Sequence, residues 1–448
     1  MFKKILIANR GEVALRVIRS AREMGIATVA VYSQADADSR HVTEADEAVC
    51  IGPAPSTQSY LVISNIIMAA LNTGAEAIHP GYGFLSENAE FARKCAEYDI
   101  VFIGPSPEAL EKMGNKSIAR ETATAAGVPV VPGSPGAIAT VEEAAEFADA
   151  VGFPVLVKAS AGGGGKGMRV AVDAEDLKHQ WTAARTEAKA AFGDDTMYLE
   201  KYLARPKHIE IQILCDRQGN GAYLFERDCS IQRRHQKLIE EAPSVVLTPA
   251  LRQEMGEAAL RLAANVDYEG AGTVEFLYDQ DDSYYFMEMN TRVQVEHPIT
   301  EAITGVDIIA EQIRIAAGEP LSFAQSDLSI SGHAIEFRIN AEDPTHDFRP
   351  NPGCVTRYAL PGGYGVRVDT HLEAGCDIPP YYDSLIAKLV VYGRTREECI
   401  ARAKRALAEF HIEGVATTIS FHLAAMDVPA YAQGEFCTDF VEKEMGGV

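Results

Sequence analysis

The sequence predicts a multidomain chain that joins an α/β domain to mixed α+β structure. Three observations carry this reading. At 448 residues the chain exceeds what one hydrophobic core organises, so two or three domains are expected. Over the first hundred residues short apolar strands alternate with amphipathic helices, the pattern of a doubly wound sheet. After residue 127 the composition turns dense in proline and glycine, and a glycine-rich hairpin follows.

Ile5-Leu6-Ile7-Ala8 is a short strand of the fully buried type. Glu12 to Met24 places Val13, Val17 and Ala21 at helical spacing, and Gly25 ends the run. Thr28 to Tyr32 is the next strand. A helix over Ser59 to Leu71, a strand at Ala77 to His79, a helix over Asn88 to Glu97 and a strand at Ile100 to Ile103 complete the unit. The first turn, Asn9-Arg10-Gly11-Glu12, lacks the glycine fingerprint of a dinucleotide-binding loop.

Val128 to Gly136 reads as a linker, and a small segment follows over roughly 131 to 203. In it, strands at Val155 to Lys158 and Met168 to Ala171 flank Gly162-Gly163-Gly164-Gly165-Lys166-Gly167. Such glycines let the backbone approach a polyphosphate and aim N–H groups at its oxygens. The spacing is not that of a P-loop. A hairpin of this composition can close as a lid over nucleotide phosphates; the alternative is a flexible surface hairpin. Residues 204 to 448 read as α+β. His208 to Leu214 alternates, with His208, Glu210 and Gln212 on one face. Thr395-Arg396-Glu397-Glu398 is a capping box that opens a helix.

The formal charge of −23, from 41 basic and 64 acidic residues, argues against nucleic acid or an anionic membrane as the main partner. No run is long enough to span a membrane, and the first residues do not form a signal peptide. Eight cysteines without a Cys-x-x-Cys pair fit a reduced, cytoplasmic setting. Cys229 reads as an inert buried thiol.

Against this acidic background one segment concentrates chemistry. Met287 to Pro298 reads as an extended run. Glu288, Asn290, Arg292, Gln294 and Glu296 would share one face, and Met287, Met289, Val293 and Val295 the other. Gly270 to Tyr278 reads as its hairpin partner, and a symmetric loop would place Glu275 opposite Glu288. Two carboxylates about 5 Å apart repel by about 3 kcal/mol at an effective dielectric near 20. A hard divalent cation turns that repulsion into attraction and takes substrate phosphates as well. The basic run Arg233-Arg234-His235-Gln236-Lys237 reads as an anion clamp or as a solvated face. On the strand His333 to Asn340, Arg338 could bind a substrate oxygen or pair with Glu336.

Taken together, the glycine hairpin, Lys158, the Glu275/Glu288 pair and the run Asn290 to His297 resemble the ATP-grasp enzymes. More narrowly they resemble the biotin carboxylase family. The similarity extends from Ile7-Ala8-Asn9-Arg10-Gly11-Glu12 through His79-Pro80-Gly81-Tyr82-Gly83-Phe84-Leu85-Ser86-Glu87 to Tyr381-Tyr382-Asp383-Ser384. It implies a three-domain ATP-grasp architecture: a Rossmann-like domain at 1–114, a linker at 115–130, a glycine-rich lid domain at 131–203, and the core with an antiparallel-sheet C-terminal domain at 204–448.

The resemblance also implies roles. ATP would be held by Lys116, Lys158, Gly163, Gly164, Gly165, Gly167, Met168, Glu200, Lys201, Leu203, His208, Gln232 and His235. Glu275, Glu288 and Asn290 would hold Mg²⁺ or Mn²⁺, two ions in all. Lys237, Arg292, Gln294 and Val295 would bind bicarbonate, Glu296 would deprotonate it, and Arg338 would stabilise the biotin enolate. Arg292 beside Glu296 would keep that carboxylate ionised. The expected reaction is carboxylation of biotin through carboxyphosphate, the first half-reaction of acetyl-CoA carboxylase in fatty acid synthesis. The expected partners are a biotin carboxyl carrier protein, carboxyltransferase subunits and a second copy of the chain. Two departures stand out. Lys166 sits where the family often has arginine, and Gly414-Val415-Ala416-Thr417-Thr418 replaces a usual Gly-Val/Ile-Lys-Thr-Asn. An Ala-Met-Lys-Met biotin-attachment sequence is missing, so the biotin is expected on a separate carrier.

Overall fold

Ile5 and Ile7 point to one side of the strand Lys4–Ile7 and Leu6 to the other, and all three are fully buried. A strand apolar on both faces needs cover on both faces. In the computed structural model, which describes residues 1–159, 168–192, 195–279 and 281–446, this strand is the centre of a five-stranded parallel sheet. The order is Glu47–Gly52, Ala27–Ser33, Lys4–Ile7, Ala77–His79, Val101–Phe102. Leu6, Val29, Val31 and Ile78 pack into one core, and Ile5, Ile7 and Ala77 into a second on the opposite face. The doubly wound expectation holds. The edge strand Glu47–Gly52 was not foreseen; most of its residues are exposed or half-exposed with no apolar alternation, which leaves little pattern to read.

The helix expected over Ser59 to Leu71 runs instead over Ile63–Thr73. Ser56–Gln58 forms a 3-10 turn, and Ser59 at φ −139°, ψ −92° cannot continue it as a helix. Gly11 opens the first helix, Gly11–Glu23, at φ +68°, a backbone that side chains disfavour.

The chain divides into two compact units. The first comprises residues 1–128, 207–276 and 288–448. Besides the parallel sheet it holds most of an eight-stranded sheet. The order is Tyr284–Asn290, Gly270–Tyr278, Lys207–Cys215, Gly221–Arg233, Gln236–Ala242, His333–Asn340, Leu385–Gly393, Val366–Thr370. Its ladders from Lys207–Cys215 to Val366–Thr370 are antiparallel. One face carries a core of Ile335, Phe337, Ile339, Leu389 and Val391 under the helix Arg396–Glu409. The second unit, residues 129–206 and 277–287, is built on an antiparallel sheet ordered Met168–Ala171, Val155–Ala159, Met197–Lys201. Val155, Val157 and Leu199 pack there with Leu177 and Trp181 of the helix Ala174–Phe192.

The segment 287–298 is not one extended run. The strand ends at Asn290, residues 291–296 turn, and a helix occupies His297–Thr304. Glu296 takes the N-cap position at φ −81°, ψ 8°, and Pro298 stands in the first helical turn. Proline there presets the helical φ and lacks an N–H the helix could not use. The two-face alternation fails accordingly: Met287 is 39% exposed while Gln294 and Glu296 are buried.

Candidate active site

The site grows from the centre of the eight-stranded sheet, where neighbouring strands carry opposite charges in register. Arg227 on Gly221–Arg233 stands opposite Glu210 on Lys207–Cys215, and its Nε donates to Glu210 Oε1 at 2.5 Å. Its other nitrogens reach Gln212 (2.8 Å), Thr300 (2.9 Å), Thr273 (3.2 Å) and Gln294 (2.7 Å). The side chain is wholly buried. All of its bonds go to oxygen acceptors, which a buried guanidinium requires.

Lys237 lies beside this hub. Its Nζ donates to Glu210 Oε2 at 2.5 Å, Glu275 Oε1 at 3.0 Å and Glu296 Oε1 at 2.7 Å. Glu275 Oε1 also accepts from Asn290 at 2.8 Å and Gln294 at 2.7 Å, and Glu275 Oε2 lies 2.9 Å from His208 Nε2. Arg338 donates through Nε to Glu240 at 2.6 Å and through Nη2 to Glu296 Oε2 at 2.9 Å. Glu296 is therefore gripped by two cations. Burial works to raise its pKa, but Lys237, Arg338 and Arg227 outweigh burial and hold the carboxyl well below its usual range. Glu275 is lowered in the same way against burial, by Lys237 and His208.

Arg292 is not the partner of Glu296. Its Nε donates to Glu87 at 2.9 Å and its Nη2 to Asn290 Oδ1 at 2.8 Å. Nor does Arg338 pair with Glu336; it takes Glu240 and Glu296. Of the basic run, only Lys237 enters the cluster. Arg233 and Arg234 both bond Asp347, Arg233 also covers the Phe348 ring, and His235 sits exposed on the turn. Gln232 is Lys237's register partner and is half-buried. Val295 is fixed from behind, its carbonyl accepting from the buried Lys388 Nζ at 2.8 Å. Arg292, Val295 and Arg338 line a cavity of about 490 Å³ together with Glu12, Tyr82 and Tyr382.

Residues expected at the nucleotide fall in both units. Lys116, His208, Gln232 and His235 belong to the first; Lys158, Met168, Glu200, Lys201 and Leu203 belong to the second. Lys158 Nζ bonds Glu200 at 2.8 Å. Met168 is exposed, Leu203 is buried, and Lys201 Nζ lies 6.0 Å from the Tyr285 ring centre. Gly163, Gly164, Gly165 and Gly167 lie outside the described residues.

The donor set fits a hard divalent cation. Burial and the Glu275 charge push the Glu288 carboxyl up, and its cationic neighbour Lys116 is 3.9 Å away and 91% exposed. That is negative charge short of compensation on oxygen donors. Among the described residues, the groups that bring three His, Cys or carboxylate ligand atoms within 4.8 Å are His208–Glu210–Glu275 and Glu210–Cys229–Glu296, and neither includes Glu288. Both surround Lys237, whose ammonium already supplies the positive charge there. Burial pushes the Cys229 thiol up, away from the reactive thiolate form.

Sequence reasoning assigned no role to Arg227, Glu240, Glu87 or Lys388. Lys388 alone offered a signal, an ionisable residue inside the otherwise apolar strand Leu385–Gly393, a costly placement without partners; Arg227 and Glu240 sit among other charged residues and Glu87 lies on a turn.

This constellation is that of an ATP-grasp ligase, and residues 115–324 match the family described as carbamoyl-phosphate synthase L chain, ATP binding domain. The flanking regions narrow it: residues 1–110 match the biotin carboxylase N-terminal domain and residues 336–443 its C-terminal domain. Biotin carboxylase 1 of Bacillus subtilis is 57% identical over 443 residues, covering 99% of this chain and 98% of that one. The biotin carboxylase of Haemophilus influenzae is 51% identical over 447 residues, covering 100% of this chain and 99% of that one. A solved structure is also similar, with TM-score 0.87 and 51% identity over 99% of this chain and 98% of that one. It is the biotin carboxylase domain dimer of Hydrogenobacter thermophilus 2-oxoglutarate carboxylase, in complex with MgADP, ADP and bicarbonate. The chain belongs to the biotin carboxylase family and is an ATP-dependent carboxylase ligase.

Proposed function

We propose that the chain activates bicarbonate with ATP and transfers the carboxyl group to biotin on a separate biotin carboxyl carrier protein. A bicarbonate oxygen displaces ADP from the γ-phosphoryl group, giving carboxyphosphate, which releases CO₂ and phosphate beside biotin; the phosphate takes the ureido N–H proton as that nitrogen bonds to CO₂. The observation that carries this reading is Glu296, held ionised between Lys237 and Arg338, with Arg338 and the adjacent Val295 lining a cavity of about 490 Å³.

In this reading Lys237, Arg292, Gln294 and the Val295 backbone bind bicarbonate, and Glu296 takes its proton. A carboxylate so far below its usual range is a weak base. An arriving anion competes for Lys237 and Arg338, and each cation that turns to it lets Glu296 recover basicity. Arg338 then faces the ureido oxygen of biotin. Lys116, Lys158, Gly163, Gly164, Gly165, Gly167, Met168, Glu200, Lys201, Leu203, His208, Gln232 and His235 hold ATP. Glu275, Glu288 and Asn290 would hold Mg²⁺ or Mn²⁺, which when bound neutralises phosphate charge during transfer.

Homodimer assembly is supported by the similar solved dimer. Work with carboxyltransferase subunits in acetyl-CoA carboxylase and fatty acid synthesis is the reading we favour for the holoenzyme. A cytoplasmic setting is supported by eight free cysteines; no described helix is long and apolar enough to cross a membrane. The test is ADP release with bicarbonate and free biotin varied independently. Dependence on bicarbonate with stimulation by biotin is expected; turnover indifferent to bicarbonate would refute the reading.

A further inference from the structure

Behind Arg338 lie two carboxyls that the reaction above leaves unused. Glu240 on Gln236–Ala242 stands directly opposite Glu336 on His333–Asn340, and both are fully buried. Cβ atoms of directly opposed strand residues lie about 5 Å apart. Glu240 Oε1 accepts from Arg338 Nε. Among the described residues no donor reaches Glu240 Oε2 or either oxygen of Glu336.

The facing charges leave a surplus of acid. Lys388 on Leu385–Gly393 and Arg338 on Glu336's own strand are the cations acting on Glu336; Glu240 and Glu296 are the anions. Lys388 already serves the Val295 carbonyl and lies 3.3 Å from Glu12 Oε2. Glu240 faces Arg338, Glu296 and Lys237, and Lys237 is shared with Glu210 and Glu275. His297, on the helix His297–Thr304, is kept neutral by burial and by Lys388. The Tyr82 hydroxyl bonds Glu12. A buried carboxylate with no donor is costly, and a second one opposite makes double ionisation worse. A single proton resolves both problems, because a Glu336 hydroxyl donating to Glu240 Oε2 gives partners to two of the three orphaned oxygens.

We infer that Glu240 and Glu336 share one proton and work as an acid–carboxylate pair that positions Arg338 for the biotin step. Glu336 keeps the proton, and Glu240 keeps the negative charge that anchors Nε. The Arg338 fork is thereby fixed in plane, with its remaining N–H groups turned toward Glu296 and the cavity. Burial pushes Glu336 well above the usual carboxyl range and Glu240 to about 7, in line with a proton held in the pair. This inference rests on the role proposed above for Arg338.

Infrared difference spectra between wild type and Glu336→Gln test the proton directly. A protonated-carboxyl carbonyl band at about pH 8, well above the ordinary glutamate range, is expected in wild type and absent from the variant. If that band is missing from wild type, or persists in Glu336→Gln, the shared proton is refuted whatever the enzyme's substrates. Kinetics test the positioning role. Glu240→Gln is expected to lower biotin-dependent turnover about tenfold, the loss of one charge-assisted hydrogen bond, with little change in the KM for ATP. Glu240→Asp is expected to recover part of the loss. An equal fall in bicarbonate-dependent ATP hydrolysis and biotin carboxylation, unrelieved by aspartate, would overturn it. Loss of bicarbonate dependence in wild type would instead refute the proposed function and leave the infrared result standing.

Discussion

At the residue scale the site is a charge balance around Glu296. Lys237 and Arg338 each donate to one of its oxygens, and each keeps another carboxylate when that of Glu296 is removed, Glu210 and Glu275 for Lys237 and Glu240 for Arg338. Glu296→Ala is expected to abolish bicarbonate-dependent ATP hydrolysis, a loss of at least about 10²-fold for a positioned base, measured as ADP release. Arg338→Gln separates the half-steps: most of the bicarbonate-dependent ATP hydrolysis should survive while carboxylation of free biotin is lost. Parallel loss of both activities would remove the biotin-specific role. The sequence displayed Lys237, Glu275, Arg292, Gln294, Glu296 and Arg338 as candidates because their motif is contiguous or strand-patterned. It concealed who holds whom. Arg292 lies within the motif yet turns to Glu87, far earlier in the chain, whereas Arg227, the buried hub, had no local mark, since Glu226 and Asp228 flank it with charges of their own.

At the element scale, local chemistry read well where it was self-contained. Thr395 caps the helix Arg396–Glu409, its hydroxyl accepting from Glu398 N–H at 3.3 Å. The return half of the capping box goes one residue astray, because Glu398 accepts from Arg394 N–H at 3.0 Å. Thr395→Ala is expected to destabilise the fold by about 1 kcal/mol, read as a lower urea midpoint with an unchanged slope. The error at 287–298 arose at the same scale. Alternation of polar and apolar residues persists through a turn by coincidence, and Pro298 was the better guide. A proline two residues past a would-be strand position announces a helix start.

At the scale of the whole molecule, acid stability follows from histidines kept neutral by burial. Burial pushes His41 and His422 down to about 4 and His79 and His371 to about 3, and holds His297 well below its ordinary value. Below the ordinary value of 6.5 the unfolded chain binds protons that these folded groups refuse. Stability therefore falls as pH drops from 6.5 toward 4, by up to about 1.4 kcal/mol per pH unit for each group. Glu12, Glu240, Glu288 and Glu336 have the opposite sign, since raised carboxyls hold protons that the unfolded chain releases above about 4.3. The five histidines, joined by Glu275 and Glu296 held below their usual range, outweigh these four carboxyls, and Tm should climb between about pH 4.5 and 6.5 in melts at fixed salt. The alternating first hundred residues made the parallel sheet legible. The grouping of 277–287 with 129–206 was not, because association of segments far apart in the chain leaves no local pattern. Long-range association also links Lys388 to two segments far apart in the chain, holding the Val295 carbonyl and lying 3.3 Å from Glu12. Remove the amino-terminal domain that carries Glu12 and a fully buried ammonium loses its carboxylate neighbour, so the turn that presents Val295 and Glu296 would slacken. That domain is thus an electrical counterweight to the catalytic turn, and a truncation that spares every catalytic residue would still disable the enzyme.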